Sequence, residues 1–522
     1  MLTGDMLRRS AQRFPDKAAI IYRGPGGRTQ TSFSELDARA NRLAHALLAL
    51  GLQKGAKVSM LSRNLPDYGS VFFGIARTGY VVNNISVLYA PEELGWVLNK
   101  SDTEVLIFDA QFAEKVAAVR QDCPRIRHFI VIGEDAAAQA AQAWGALAFE
   151  AFVAGGRPFA PDVQLDEHDA FCMTYTGGTT GRPKGVLMHH KARDITAHTV
   201  VFEERITPDD VVAIVTPLFH VAALNIMFQP AMLVGATTVF ITPWSADAFM
   251  DAVDEEGVSA AFMVPTQANA LSTHPQLETR RLASWTKLAF AGAPMPDWVQ
   301  QELMRRLPAL QLTQIYGQSE MGVIAALPPS FLPAKLGAVG RQPFNVDVAV
   351  LRPDGSHAAP GEMGEVASRG DNLMIGYCNE PEQTEGFFKM GHGWGLTGDI
   401  GVMDADGFIT LIDRAKDMLI SGGENVYPKE IEQVIYQLPE VAECAVFGIP
   451  DDKWGEVPAA YILLKAGCTL DEATVVAQCE ARLARLKRPR LVRFVESFPK
   501  TPIGKIQKNI LKEPYWEGRK KI

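Results

Sequence analysis

Short, largely apolar runs alternate with amphipathic stretches through the first half of the chain. Residues 18–22, 58–61, 105–108 and 129–132 are runs of strand length. Between them, Leu36, Ala40, Leu43, Ala44 and Leu47 recur at helical spacing. Ser34 reads as the N-cap of that helix, with Asp37 as the reciprocal member of a capping box, and Gly51 closes the segment. Residues 67–79 read as a second helix. Residues 136–148, rich in alanine and polar on one side, read as a surface helix before a linker at Gly155-Gly156-Arg157-Pro158. Strands alternating with helices predict α/β layers with mostly parallel sheets. Farther on, residues 260–265 and 288–291 read as buried strands. Residues 346–376 carry short β-like runs broken by turns such as Pro353-Asp354-Gly355, which predicts a β-rich subdomain. After Asp413 the pattern becomes α+β, with apolar runs at 442–448 and 459–464. The expected organisation is α/β. A large N-terminal domain of layered α/β subdomains plus a β-rich subdomain spans residues 1–412, and a small α+β C-terminal domain spans 413–522.

Composition narrows the setting. With 522 residues, the chain exceeds what one ordinary core supports. A net charge of −9 argues against general nucleic-acid binding, which relies on a positive surface. The six cysteines, Cys123, Cys172, Cys378, Cys444, Cys468 and Cys479, show no C-x-x-C spacing, so a metal or disulfide framework is not expected. The N-terminus has no signal-peptide pattern, and no apolar run is long enough to span a bilayer. A cytoplasmic protein without a membrane span is expected.

The candidate chemistry centres on Tyr175-Thr176-Gly177-Gly178-Thr179-Thr180-Gly181-Arg182-Pro183-Lys184-Gly185-Val186. Glycines let backbone N–H groups approach a ligand, and threonine hydroxyls and a lysine add donors and charge. Together they suit a polyanion such as the phosphates of ATP. The G-x-x-x-x-G-K-[ST] order of a Walker A loop is absent, and Pro183 resists a helix running through the loop. Downstream lie Pro217-Leu218-Phe219-His220, read as the end of an apolar strand, and the small-residue turn Ala291-Gly292-Ala293-Pro294. Next come Gln314-Ile315-Tyr316-Gly317-Gln318-Ser319-Glu320, with a ring able to stack on a base and a carboxylate able to hold Mg²⁺. Asp399, in Trp394-Gly395-Leu396-Thr397-Gly398-Asp399, can accept two hydroxyls at once. Asp413-Arg414-Ala415-Lys416-Asp417, Ser421-Gly422-Gly423-Glu424, Trp454 and Pro499-Lys500-Thr501-Pro502-Ile503-Gly504-Lys505 complete the series. The basic run Arg482, Arg485, Lys487, Arg488, Arg490 and Arg493 reads as a solvated face or as a grip for phosphates.

In order and spacing these motifs resemble the adenylate-forming superfamily of acyl- and aryl-CoA synthetases, luciferases and peptide-synthetase adenylation domains. Gly177 stands where that family usually has serine, Ser319 where it has threonine, and Ile503 where it has serine or threonine. The resemblance implies an AMP-forming acid–CoA ligase using ATP, Mg²⁺ and CoA. It implies a nucleotide site of Thr176, Gly177, Gly178, Thr179, Thr180, Gly181, Lys184, Gly292, Ala293, Pro294, Gln314, Tyr316, Gly317, Ser319, Asp399, Arg414 and Lys505. Glu320 would hold Mg²⁺, and His220, Ile315 and Gly317 would form the acyl pocket, with His220 at the substrate carboxylate. A branched Ile315 would narrow that pocket and favour medium-chain or aromatic acids. Lys416 would be the hinge of a mobile C-terminal domain, and Ser421, Gly422, Gly423 and Trp454 would meet CoA. Lys505 would drive adenylation. A small-molecule acid, ATP and CoA are the expected partners, and a homodimer is left open. Two rivals are an adenylation enzyme that loads a carrier protein and a catalytically dead binding or regulatory protein. Intact Glu320, Asp399, Arg414 and Lys505 argue against the second.

Overall fold

In the computed structural model, residues 1–176, 182–293, 295–422, 424–500 and 506–517 are described. The chain forms two compact units. The first gathers Met1–Thr176, Pro183–Val348 and Ser368–Gly395, and the second includes Ala349–Ala367 and the chain from Leu396 onward.

Two eight-stranded sheets build the first unit. One runs in the order Gly322–Leu327, Gln311–Gln318, Lys287–Phe290, Ala260–Met263, Val211–Ile214, Thr237–Ile241, Ala18–Gly24, Gly27–Ser32. Its six inner strands are parallel and only the two edge strands are antiparallel. The other runs Gly376–Tyr377, Lys184–His189, Ala170–Thr176, Val81–Asn84, Lys57–Leu61, Thr103–Asp109, His128–Ile132, Leu147–Ala148. It is parallel except at the end carrying Lys184–His189, where the pairings are antiparallel.

Side-chain alternation along the strands creates the layers. Ile20, Ile214, Phe240, Phe262, Ala289 and Ile315 point to one core, while Ile21, Ala213, Val239, Ala261, Leu288 and Leu312 point to another. The first core also receives Val58, Met60, Val105 and Ile107 from the second sheet, so it lies between the sheets. The helices Phe33–Leu48, Asp67–Ile75 and His190–Glu203 fill it. Ala246–Glu256, Pro265–Ser272 and Asp297–Arg306 cover the outer face of the first sheet. Pro91–Lys100, Ala113–Val119 and Ala136–Ala143 cover the outer face of the second. The result is five alternating layers of helix and sheet, as the α/β pattern predicts.

The second unit holds most of the four-stranded sheet Asp347–Leu351, Met363–Arg369, Trp394–Met403, Ile409–Arg414 and a five-stranded sheet farther along. The latter orders Glu424–Val426, Leu419–Ser421, Gly455–Leu464 and Val441–Asp451, with Leu491–Phe494 parallel to Gly455–Leu464. Pro428–Ile435 and Glu472–Arg482 pack on it through Ile431, Val434, Val475 and Cys479. Among the described residues no helix is long and apolar enough to cross a membrane.

Three local expectations need correction. The first long helix is capped by Ser32, not Ser34. The Ser32 side chain accepts from the Glu35 backbone N–H, and the Glu35 carboxylate reaches back to the Ser32 N–H. Asp37 is engaged elsewhere, by the buried Arg77 guanidinium at 2.6 Å and by Asn41. The helix at 67–79 stops at Ile75, where the Thr78 hydroxyl donates to the Ile75 carbonyl and Gly79 turns with φ +78°. The segment 136–148 is the helix Ala136–Ala143, capped by Asp135, followed by the edge strand Leu147–Ala148. Gly145, at φ +106°, separates them.

Candidate active site

Four parallel strands lie side by side in the first sheet, Gln311–Gln318, Lys287–Phe290, Ala260–Met263 and Val211–Ile214, and the connections leaving the C-terminal ends of three of them carry His220, the Gly292 turn and Ser319-Glu320. Crevices outside such strand ends are where open α/β sheets bind ligands. The strand Val211–Ile214 ends well before His220, which corrects the expectation that this histidine closes a strand. Pro217 has no N–H for a ladder, and the chain turns there instead. Asn64 holds the turn by donating to the Thr216 carbonyl and accepting from the Leu218 N–H. His220 then opens a helical segment, its Nδ1 accepting from the Ala222 N–H at 3.2 Å, just before the π-helix Ala222–Phe228.

Beyond Lys287–Phe290, Gly292 turns with φ +90°, a conformation natural to glycine, and Ala293 is exposed. The neighbouring strand Gln311–Gln318 sets Gln314 opposite Phe290. Its alternation sends Ile315, 3% exposed, into the core between the sheets that also holds Ala197, Val200 and Val323, and leaves Tyr316 half-buried. Gly317 must be glycine, because a Cβ there would lie 1.9 Å from the Gly322 carbonyl oxygen. Ser319 and Glu320 follow in the turn, both buried, with Glu320 8% exposed. Glu320 is therefore not a solvated surface acid. Its Oε1 accepts from the Tyr377 hydroxyl at 2.9 Å. Burial, then the Glu320 charge, push the Tyr377 phenol well above its ordinary range. Tyr377 is absent from the sequence-derived candidates, because its partner lies 57 residues away and the Gly-Tyr pair has no local signature.

The phosphate-loop candidates bracket a hairpin. Thr176 ends one strand, Lys184 begins the next, and the two pair across the ladder. Gly177, Gly178, Thr179, Thr180 and Gly181 lie outside the described residues, as do Pro294, Gly423 and Lys505. The Lys184 ammonium sits 5.2 Å from the centre of the Tyr377 ring.

In the second unit, antiparallel pairing of Trp394–Met403 with Ile409–Arg414 sets Asp399 opposite Arg414. The Arg414 Nε lies 3.2 Å from Asp399 Oδ1, with the Asp399 side chain 8% and the Arg414 side chain 45% exposed. The strand backbone just before Asp399 is fixed by the Thr397 hydroxyl, which donates to the Val366 carbonyl and accepts from the Asp399 N–H. Gly398, at φ +71°, donates its N–H to Glu365. Lys416 is exposed in the turn after Arg414. Ser421, Gly422 and Trp454 come together: Ser421 pairs with Gly455, and the Gly422 N–H donates to the Trp454 carbonyl at 2.8 Å. A Cβ on Gly422 would sit 2.7 Å from the Trp454 ring, and that ring is 38% exposed rather than a core side chain. Lys500 bridges to Ile506, and Lys508, at the head of the last helix, pairs with Glu432 at 2.7 Å. In the basic run, Lys487 pairs with Glu430, Arg488 with Glu480, and Arg493 donates to the Tyr461 hydroxyl.

Among the described residues no group of three or more His, Cys, Asp and Glu side chains is arranged to hold a metal ion. A single buried carboxylate such as Glu320 still fits Mg²⁺, which commonly takes one or two carboxylates together with substrate phosphates and water.

The family model of the AMP-binding enzymes matches residues 7–378, and that of the AMP-binding enzyme C-terminal domain matches residues 430–505. A feruloyl-CoA synthase from Streptomyces sp is 33% identical over 501 residues, 96% of each chain. The long-chain-fatty-acid–CoA ligase FadD13 of Mycobacterium tuberculosis is 35% identical over 517 residues, 98% of each chain. Among solved structures, the anthranilate CoA ligase AuaEII in complex with anthranoyl-AMP superposes with a TM-score of 0.88 at 25% identity, covering 99% of this chain and 97% of the other. Matched along nearly its whole length in both sequence and fold, the chain belongs to the AMP-binding enzyme family, among the ATP-dependent, AMP-forming acid–CoA ligases.

Proposed function

We propose that this ligase acts on an aromatic or medium-chain carboxylic acid, and that its candidate residues divide the two half-reactions between them. The observation that carries the reading is that His220, the Gly292 turn and Ser319-Glu320 all follow the C-terminal ends of parallel strands in one sheet, with Tyr316 near the end of the last of them. In this reading Tyr316 stacks on adenine, with Gln314, Gly317, Gly292, Ala293 and Pro294 around it. Asp399 accepts the ribose hydroxyls and Arg414 contacts the nucleotide. The segment from Thr176 through Gly177, Gly178, Thr179, Thr180 and Gly181 to Lys184 holds the phosphates, and the Ser319 hydroxyl faces the α-phosphate. His220 and Lys505 meet the substrate carboxylate, and Lys505 also meets the α-phosphate. Glu320 would hold Mg²⁺, which when bound supplies positive charge against the phosphates.

The carboxylate of the acid attacks the α-phosphorus, and the bond to pyrophosphate breaks. Donors already placed at these oxygens lower the barrier because they need no reorganisation as charge develops. For the second step, turning about Lys416 would withdraw Lys505 and bring up Ser421, Gly422, Gly423 and Trp454. The CoA thiol, losing its proton, then attacks the acyl carbon, and AMP leaves.

The acid class rests on Ile315 and on the relatives. A branched, buried side chain at the acyl end leaves less length than glycine would, and one relative is a feruloyl-CoA synthase. A second reading, a long-chain acid, draws on the likeness to FadD13. Pyrophosphate release measured across short, medium, long and aromatic acids decides between them. The highest kcat/KM is expected for an aromatic or medium-chain acid, and a maximum at palmitate length would overturn the assignment. Six free thiols suit a reducing, cytoplasmic setting. The homodimer draws support from none of these residues, and sedimentation tests it.

A further inference from the structure

The segment 372–378 is tied to two parts of the candidate nucleotide site at once, in the first unit. On one side, Gly376–Tyr377 pairs antiparallel with Lys184–His189, setting Tyr377 opposite Val186 and Gly376 opposite Leu187. The Ile375 N–H donates to the Leu187 carbonyl and the Cys378 N–H to the Gly185 carbonyl. On the other side, the Met374 N–H donates to the Glu320 carbonyl at 2.7 Å, and the Asn372 side chain donates to the Met321 carbonyl. Thr384 fixes the Tyr377 backbone by accepting its N–H at 2.9 Å. The side chain repeats the backbone arrangement. Its hydroxyl donates to Glu320 Oε1 at 2.9 Å, and its ring faces the Lys184 ammonium at 5.2 Å.

We propose that Tyr377 is a positioning residue that orients the Glu320 carboxylate for its cation and holds the Lys184 ammonium beside it. The proposal rests on the roles of Glu320 and Lys184 given above. A phenol is suited to this task. It fixes one carboxylate oxygen through a directional hydrogen bond without cancelling the negative charge that a cation needs, as a guanidinium would. The ring face attracts the ammonium without offering it a counter-charge, so the lysine remains available to a phosphate. The edge of Phe387 packs on the ring, 6.5 Å between centroids, and limits its rotation.

The test separates hydroxyl from ring. Tyr377→Phe removes only the hydrogen bond to Glu320, and Tyr377→Leu also removes the ring face. ATP binding is measured by calorimetry with Mg²⁺ and with EDTA. Single-turnover rates are measured for adenylation and for acyl transfer from preformed acyl-adenylate. Losing one hydrogen bond to a charged group is expected to slow adenylation about tenfold to hundredfold. It should also shrink the Mg²⁺-dependent gain in ATP affinity, while ATP affinity in EDTA and the transfer rate match the parent. Tyr377→Leu should in addition weaken ATP binding in EDTA. Glu320→Gln distinguishes the failures. If it keeps the full Mg²⁺-dependent gain, the role of Glu320 is wrong and this proposal falls with it. If Glu320→Gln loses the gain while Tyr377→Phe keeps it, the proposal alone is overturned. Equal losses by Tyr377→Phe in adenylation, transfer and melting temperature would also overturn it, since they mark a purely structural residue.

Discussion

Replacing Asp399 with alanine should weaken ATP binding selectively. Its side chain is 8% exposed and faces its partner strand through Arg414. If it accepts two ribose hydroxyls, each bond contributes about 1.5 kcal/mol, the low end for a charged acceptor. Two such bonds amount to ~3 kcal/mol, which raises the ATP Kd about 100-fold. Stability should change little. Arg414 is 45% exposed, so water replaces the lost partner, and the pair contributes ~1 kcal/mol at most. The local backbone survives as well, because it is held by the bond from the Asp399 N–H to the Thr397 hydroxyl. Calorimetry with ATP and with the carboxylic acid, alongside thermal melting, reads all three quantities. An unchanged ATP Kd would refute the ribose assignment. An equal loss of acid affinity would show that the substitution disturbs the site generally.

Lys505→Ala should slow adenylate formation about 10²–10³-fold, as loss of one preorganised donor does, yet transfer acyl groups from preformed acyl-AMP at the parent rate. Lys416→Pro should show the reverse pattern, since proline fixes φ at the hinge; single-turnover rates for both steps check the pair, and equal losses in both steps by Lys505→Ala would defeat the two-conformation reading. Ile315→Gly should destabilise the first unit by about 3–5 kcal/mol through the cavity it leaves and shift kcat/KM toward longer acids; an unshifted chain-length profile would count against Ile315 as the limit of the pocket. Glu204, buried at the end of the helix His190–Glu203, has its carboxyl pushed up to about 8 by burial, from an ordinary 4.5. Its folded-state proton supports stability fully below about pH 4.5, and that support is lost as pH rises through 8. Glu204→Gln should therefore melt higher than the parent at pH 8 and flatten the decline between pH 5 and 8, and parallel melting curves for the two proteins would contradict this.

The layers were legible because strand alternation writes both faces of a sheet into the chain, as Ile20 and Ile21 do when they point to different cores. Buried parallel strands also read as apolar runs, so residues 105–108 and 129–132 fell inside Thr103–Asp109 and His128–Ile132. Ends of elements were less legible. Ser32 and Ser34 each stand three residues before an acid, and the choice turned on Asp37 being claimed by Arg77, a residue 40 positions away. The sequence run through His220 hid a turn, because the ladder ends at Ile214 and the turn at Pro217 is held by Asn64, far upstream. Residue type and motif spacing single out Glu320 and Asp399 as candidates, whereas nothing in the sequence singles out Tyr377. A hydroxyl meeting a carboxylate across 57 residues leaves no periodicity and no spacing to read.

The central claim is tested most directly by product stoichiometry in a single mixture of enzyme, ATP, Mg²⁺, CoA and the best acid from the panel, separated by chromatography. The account predicts AMP, pyrophosphate and acyl-CoA in equal amounts, with acyl-AMP accumulating when CoA is withheld and disappearing when it is added. ADP and phosphate as products, or acyl-AMP that persists beside unconsumed CoA, would contradict it.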